Sequence, residues 1–178
     1  MTDAFQVLEA DHLEVKGMLA ELESGSGNQG ALAERLVMEE SKHEAAEEMY
    51  FWPTVRDKVP GGGPLADQAL HQEQEGKEVL DKLRKLTPSD PEFTQLVDTF
   101  ARAGREHIAF EEEQVWPKLR GLITEQESED LGSKLEMAKK TGPTRPHPGA
   151  PDSPGALKTV GAATAVVDKA RDAATNRG

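Results

Sequence analysis

Two stretches of this chain repeat the pattern His-x-x-x-Glu-x-x-x-x-Trp-Pro, 64 residues apart. One holds His43, Glu47, Trp52 and Pro53; the other holds His107, Glu111, Trp116 and Pro117. Around them Ala45/Ala109, Glu48/Glu112 and Arg56/Arg120 also match. A His and a Glu four residues apart lie on one helix face, one turn from each other. Imidazole and carboxylate are metal-ligand groups, so the repeat offers matching ligand pairs on two helices. A third pair, His71 with Glu75, and a lone His12 bring the candidates to four histidines and three carboxylates. The plainer alternative is a set of surface i,i+4 pairs on acidic helices. The facing of the histidines, inward or outward, separates the two.

The remaining chemistry is narrowed by what is missing. Cysteine is absent, which excludes a disulfide framework, thiolate metal sites and a thiol nucleophile. No apolar run approaches a membrane span. Asp3 and Glu9 near the start, with no basic stretch, give no readable signal peptide, so a cytoplasmic location is expected. The net charge of −12 argues against a nucleic-acid partner and suits a body that binds cations.

The elements that must carry these residues are helical. Phe5, Leu8, His12, Val15, Leu19 and Leu22 step by three and four over 3–24, placing His12 on an apolar stripe. A second helix is expected from about Ala31 to Val59, with Leu36, Glu40, His43, Glu47, Tyr50 and Thr54 inward. Pro53 should kink or open it. The PGGGP run, 60–64, is a firm break and lacks the lysine of a phosphate cradle. A third helix follows over roughly Leu65 to Leu86, with His71, Glu75, Val79, Leu83 and Leu86 on one side. Asp90 and Pro91 are suited to start a fourth, carrying Phe93, Leu96, Phe100, His107, Glu111 and Val115 to about Gly121. Thr124 and Glu127 form a capping box for a shorter fifth helix ending near Lys140.

A single inward histidine is usually a hydrogen-bonded core residue. Four, three of them beside an inward Glu, are different. Buried carboxylates need positive charge, and a metal is the simplest supplier. Short loops make neighbouring helices antiparallel, so the expected fold is an all-α, up-down-up-down four-helix bundle with a short fifth helix and a C-terminal tail helix. The repeat makes it an internal duplication of two hairpins.

The ordered set His12, His43-x-x-x-Glu47, His71-x-x-x-Glu75, His107-x-x-x-Glu111 resembles the hemerythrin-like family of HHE cation-binding domains over about residues 1–140. The resemblance implies a centre of two non-heme iron ions with an oxo or hydroxo bridge. Glu47 and Glu111 would bridge the irons. His12 and His43 would hold one, and His71, His107 and Glu75 the other. Nitrogen and carboxylate donors without thiolate suit iron. Oxygen-carrying members have a His where Glu75 stands and an Asp at the place of Glu112. An anionic donor replacing imidazole stabilises the ferric state, which disfavours reversible oxygen carriage.

Tyr50 shares the face of His43 and Glu47 and is the catalytic candidate, as an iron ligand or through its hydroxyl on a carboxylate. Trp52 and Trp116 are expected as bundle-end packing, and Glu40, Glu44, Glu48, Glu112 and Glu113 as solvated. Residues 141–155 form a Pro/Gly-rich linker in which His147 is expected to be exposed. A weakly apolar helix over 156–178 carries Leu157, Val160, Thr164, Val167, Arg171 and Ala174 on one side.

The expected function is reaction with small oxidants, by hydrogen peroxide disproportionation or as a nitric-oxide or peroxide peroxidase with an unidentified reductant. Three alternatives stand beside it: a non-enzymatic O2 or NO binder, an iron-storage protein, and a metal-free helical interaction protein. The Glu-x-x-His signature of ferritin-type sites does occur, as Glu9/His12 and Glu40/His43, but on two successive helices.

Overall fold

A computed structural model describes residues 2–149 and 162–175. All the regular structure among them is helical. Helix α1 (Ala4–Ser24) is started by a capping box between Asp3 and Gln6. Asn28 caps α2 (Gln29–Ala46), which passes into a π-helical turn (Glu47–Phe51) and then α3 (Trp52–Lys58). Helix α4 (Gly62–Leu83) returns antiparallel. The second long rod is built like the first: α5 (Phe93–Phe110), a π turn (Glu111–Val115) and α6 (Trp116–Arg120). Helix α7 (Glu125–Thr141) opens on the expected Thr124–Glu127 capping box, and α8 (Ala162–Thr175) ends the described chain.

The bundle is a square in which α1 packs on α2 and α5, and α4 on α2 and α5. Helix α7 lies across α1 and α2. Its seat is close: a Cβ on Gly132 would fall 2.4 Å from the Thr2 carbonyl oxygen. The α3–α4 corner is equally tight. Gly61 turns with φ 75°, and a Cβ on Gly62 would meet the Val55 carbonyl oxygen at 2.1 Å.

Two apolar clusters fill the interior. One joins Phe5, Leu8, Phe51, Trp52, Phe110, Trp116, Leu119 and Leu135. The other joins Val15, Leu19, Leu36, Leu80, Leu83, Val97 and Phe100. Each long helix crosses from one cluster to the other through a polar level that holds His12 on α1 and His43 on α2. Glu73 on α4 and Glu111 after α5 complete that level.

One local expectation holds and two change. Pro53 opens its helix: it follows a π turn in which Trp52 N–H bonds to the Glu47 carbonyl five residues back, and Trp116 before Pro117 repeats this with Glu111. Proline supplies no N–H and crowds the carbonyl four residues before it, so a wider turn relieves both. Asp90 does not start α5: it accepts the Thr87 N–H at 2.6 Å, and the helix begins at Phe93. Helix α8 turns inward along Ala165 and Asp168, with Val167 exposed; Leu157 and Val160 lie outside the described residues.

Candidate metal centre

The π turns carry the candidate ligands. Each begins with the Glu of a repeat copy, so Glu47 and Glu111 sit at the same place on two facing rods. Both are fully buried. Around them are two groups whose donor atoms all lie within 4.8 Å of one another: His12, His43, Glu47 and Glu111, then Glu47, Glu73, His107 and Glu111. The groups share both π-turn carboxylates. Two ions held side by side would therefore be bridged by Glu47 and Glu111.

The imidazoles are aimed by their outer nitrogens. His12 Nδ1 bonds to Glu112 Oε1 at 2.9 Å, His43 Nδ1 to Asp11 Oδ2 at 3.2 Å, and His107 Nδ1 to Gln72 Oε1 at 3.0 Å. A hydrogen on Nδ1 leaves the Nε2 lone pair facing inward, the arrangement of metal-bound histidines. The Nε2 atoms stand 3.0, 3.3 and 3.3 Å from Glu111, Glu47 and Glu111 respectively.

The donor set fits a cation. His12 Nε2, His107 Nε2, both oxygens of Glu47, both of Glu111 and Glu73 Oε2 are buried and have no hydrogen-bond partner. Such atoms cost about 1–3 kcal/mol each if left unsatisfied. Around this level Glu40, Glu44, Glu47, Glu48, Glu73 and Glu111 are all buried. Among the described residues Lys77 is the one buried lysine or arginine, paired with Glu48. One ammonium and three imidazoles cannot together neutralise six carboxylates.

The electrostatics record the strain. Burial, and then repulsion from Glu111, push Glu47 above the usual carboxylate range. Glu111 goes the other way: burial opposes its ionisation, but the charges of His107 and His12 hold it low. The two facing carboxyls are thus pushed in opposite directions. Burial pushes Glu73 well up, with Glu48 adding to it, and pushes Glu44 to about 8. Burial would lower His107, yet Glu111 outweighs it and raises the imidazole to about 9.

Five of the seven expected ligands come together here: His12, His43, Glu47, His107 and Glu111. His71 and Glu75 do not. Their side chains are 73% and 67% exposed, and they pair at 3.6 Å on the outer face of α4. Glu73 takes the place expected of them. The inward face of α4 is lined by Ala66, Ala69, Glu73, Gly76 and Leu80, and the small Ala66, Ala69 and Gly76 allow close packing. A stripe drawn through the larger side chains is rotated from it. The stretch His12-x-Glu14-x-x-Gly17 does match His71-x-Glu73-x-x-Gly76, but that match pairs His12 with the wrong residue.

Other expectations also change. Glu40, Glu44 and Glu48 are buried rather than solvated, and Glu112 is half-buried on His12 and Lys16; Glu113 is exposed. Trp52 is no mere packing residue: its indole N–H donates to Glu73 Oε1, leaving Oε2 for the centre. Trp116 stacks on His12 at 5.0 Å between centroids. Tyr50 is half-buried in the first π turn, packed against the cluster of Phe51 and Trp52, and is not a member of either donor group. Glu9 is exposed, so Glu9/His12 makes no ferritin-type pair. His147 is not free in solvent: its Nε2 meets the buried Asp168 at 2.9 Å.

Comparison with known proteins agrees with this geometry. The model of the hemerythrin HHE cation binding domain matches residues 3–119. An uncharacterised hemerythrin-like protein of Schizosaccharomyces pombe is 31% identical over 140 residues, 78% of this chain and 68% of that protein. A Nostoc protein named DNA nickase is 26% identical over 136 residues, covering 75% of this chain but 38% of that one. The crystal structure of a hemerythrin HHE cation binding domain-containing protein from Mycobacterium kansasii superposes with a TM-score of 0.68 at 22% identity, covering 94% of this chain and 99% of that one. The chain belongs to the hemerythrin HHE cation binding domain family. No helix among the described residues is long and apolar enough to cross a membrane.

Proposed function

We propose that this protein is a non-heme di-iron protein that reacts with small oxidants, hydrogen peroxide or nitric oxide, as a peroxide-disproportionating or peroxidase-type oxidoreductase. One observation carries the reading: two donor groups share Glu47 and Glu111, with orphaned nitrogen and oxygen atoms converging on both. His12 and His43 would complete one position, Glu73 and His107 the other. Two adjacent irons would supply paired one-electron couples to a small molecule. Donors of nitrogen and carboxylate oxygen without sulfur support iron over softer ions. The apolar clusters on either side limit water at the centre.

Glu73 argues against reversible oxygen carriage. It adds an anionic donor where a fourth imidazole would keep the centre more reducible. Tyr50 is assigned to modulating the reaction from the π turn that holds Glu47. The net charge of −12 supports small-molecule partners over nucleic acid, and a cytoplasmic setting supplies peroxide and a reductant.

The test is metal content on protein as purified, with peroxide consumption measured on the same sample. Two irons per chain and turnover are expected. His43→Ala and His107→Ala should each lose iron and the melting temperature gained from it. Iron content and melting equal to wild type in both variants sink the site. Two irons without peroxide or nitric-oxide turnover would leave a gas binder. Tyr50→Phe should keep the iron and change the peroxide rate; an unchanged rate makes Tyr50 a packing residue.

A further inference from the structure

We infer that α7, whose residues lie beyond the 3–119 matched to the family, is a working part of the metal centre: Lys139, acting through Asp11, positions His43 and governs how firmly the His12–His43 position keeps its ion. The inference rests on the two-metal reading above.

The linkage is direct. Lys139 Nζ bonds to Asp11 Oδ1. The other oxygen of Asp11 holds His43 Nδ1 at 3.2 Å, and His43 Nε2 faces Glu47 at 3.3 Å. Asp11 is only 8% exposed, and these two partners fix where its carboxylate points. Without Lys139 a nearly buried carboxylate keeps a single imidazole partner. Its side chain then loses one of the two contacts that hold it, and a swing toward solvent releases His43 from its fixed tautomer and ring angle.

Helix α7 is anchored for this task. Leu131, Leu135 and Ala138 are buried in the cluster that contains Leu8, and Gly132 abuts the start of α1, the helix that carries Asp11. A cavity of about 10 Å³ beside Asp11, His43 and Lys139 has room for one water at most. The other two histidines need nothing from α7. Glu112, which holds His12, is paired with Lys16 of α1. Gln72, which holds His107, is neutral.

The experiment loads metal-stripped protein with Co(II) and follows stoichiometry and release to a chelator. Wild type should bind two equivalents. Lys139→Met should release one of the two about tenfold faster, the lower end of the effect of removing an outer partner of a metal-bound histidine. Asp11→Asn should do the same, Lys139→Arg should restore slow release, and Lys134→Met on the exposed side of α7 should match wild type. The metal-free melting temperature of Lys139→Met should stay near wild type. Release of both ions at wild-type rates from Lys139→Met overturns the inference and leaves the two-metal reading standing. Equal acceleration of both ions with a lowered metal-free melting temperature also overturns it, because α7 would then be only a cover. Failure of wild type to bind Co(II) overturns both.

Discussion

The two hairpins arise from one repeated pattern, yet they serve the centre differently. The first, α1 with α2, contributes two imidazoles, each held by a carboxylate that is itself paired with a lysine. The second, α4 with α5, contributes one imidazole held by a neutral amide and one carboxylate held by an indole. The shared Glu47 and Glu111 stand between. A hydrogen bond to a carboxylate makes imidazole a stronger donor, and an anionic oxygen favours a higher-valent ion. The near-symmetric fold thus holds two electronically unequal positions. A symmetric ligand set was not required to keep the fold symmetric, because helix packing depends on the apolar clusters above and below, not on the polar level.

Four sets of substitutions test that comparison. The largest effect is expected where the halves meet. Glu47→Gln should abolish binding of both ions, while the metal-free protein becomes more stable, since the carboxylate that burial and Glu111 disfavour is gone. Opposite signs for metal content and metal-free melting temperature are the check; a loss of both points to packing instead.

Making the halves alike comes next. Glu73→His should shift the centre toward the ferrous state and slow its oxidation. Wild type, reduced without air and cycled through O2, should fail to recover its reduced spectrum. Repeated clean recovery by wild type would remove the role given to Glu73.

A smaller effect should separate the two tryptophans of the repeat. Trp52→Phe removes the N–H that fixes Glu73, whereas the Trp116 N–H is buried without a partner. Both lose similar packing. Trp52→Phe should release the ion on the Glu73 side about tenfold faster, and Trp116→Phe much less. Equal release rates from the two variants would show that the indole bond does not matter.

No effect is expected from His71→Ala or Glu75→Ala, both on the outer face of α4. Metal stoichiometry and release should match wild type. Loss of an equivalent from either variant would return these residues to the centre and displace Glu73.

Much of this protein follows from sequence alone. The helical period, the capping box at Thr124 and Glu127, and the His–Glu pairs on α2 and α5 are relations within a turn or two. Local geometry fixes them, whatever the chain does elsewhere. The repeat told which carboxylates face each other, because the same segment in two copies must meet its counterpart in a twofold bundle. What only the tertiary structure decided is which face α4 presents and who stands behind each histidine. His12 and Glu73 are 61 residues apart where His43 and His107 are 64, so the repeat does not carry across to α1 and α4. That offset depends on the tight Gly61–Gly62 corner and on small residues that let α4 approach its neighbours. Asp11, Glu112, Gln72 and Lys139 reach their histidines across 32, 100, 35 and, through Asp11, 128 residues of chain. No local spacing encodes such pairings; they exist only once the helices have packed.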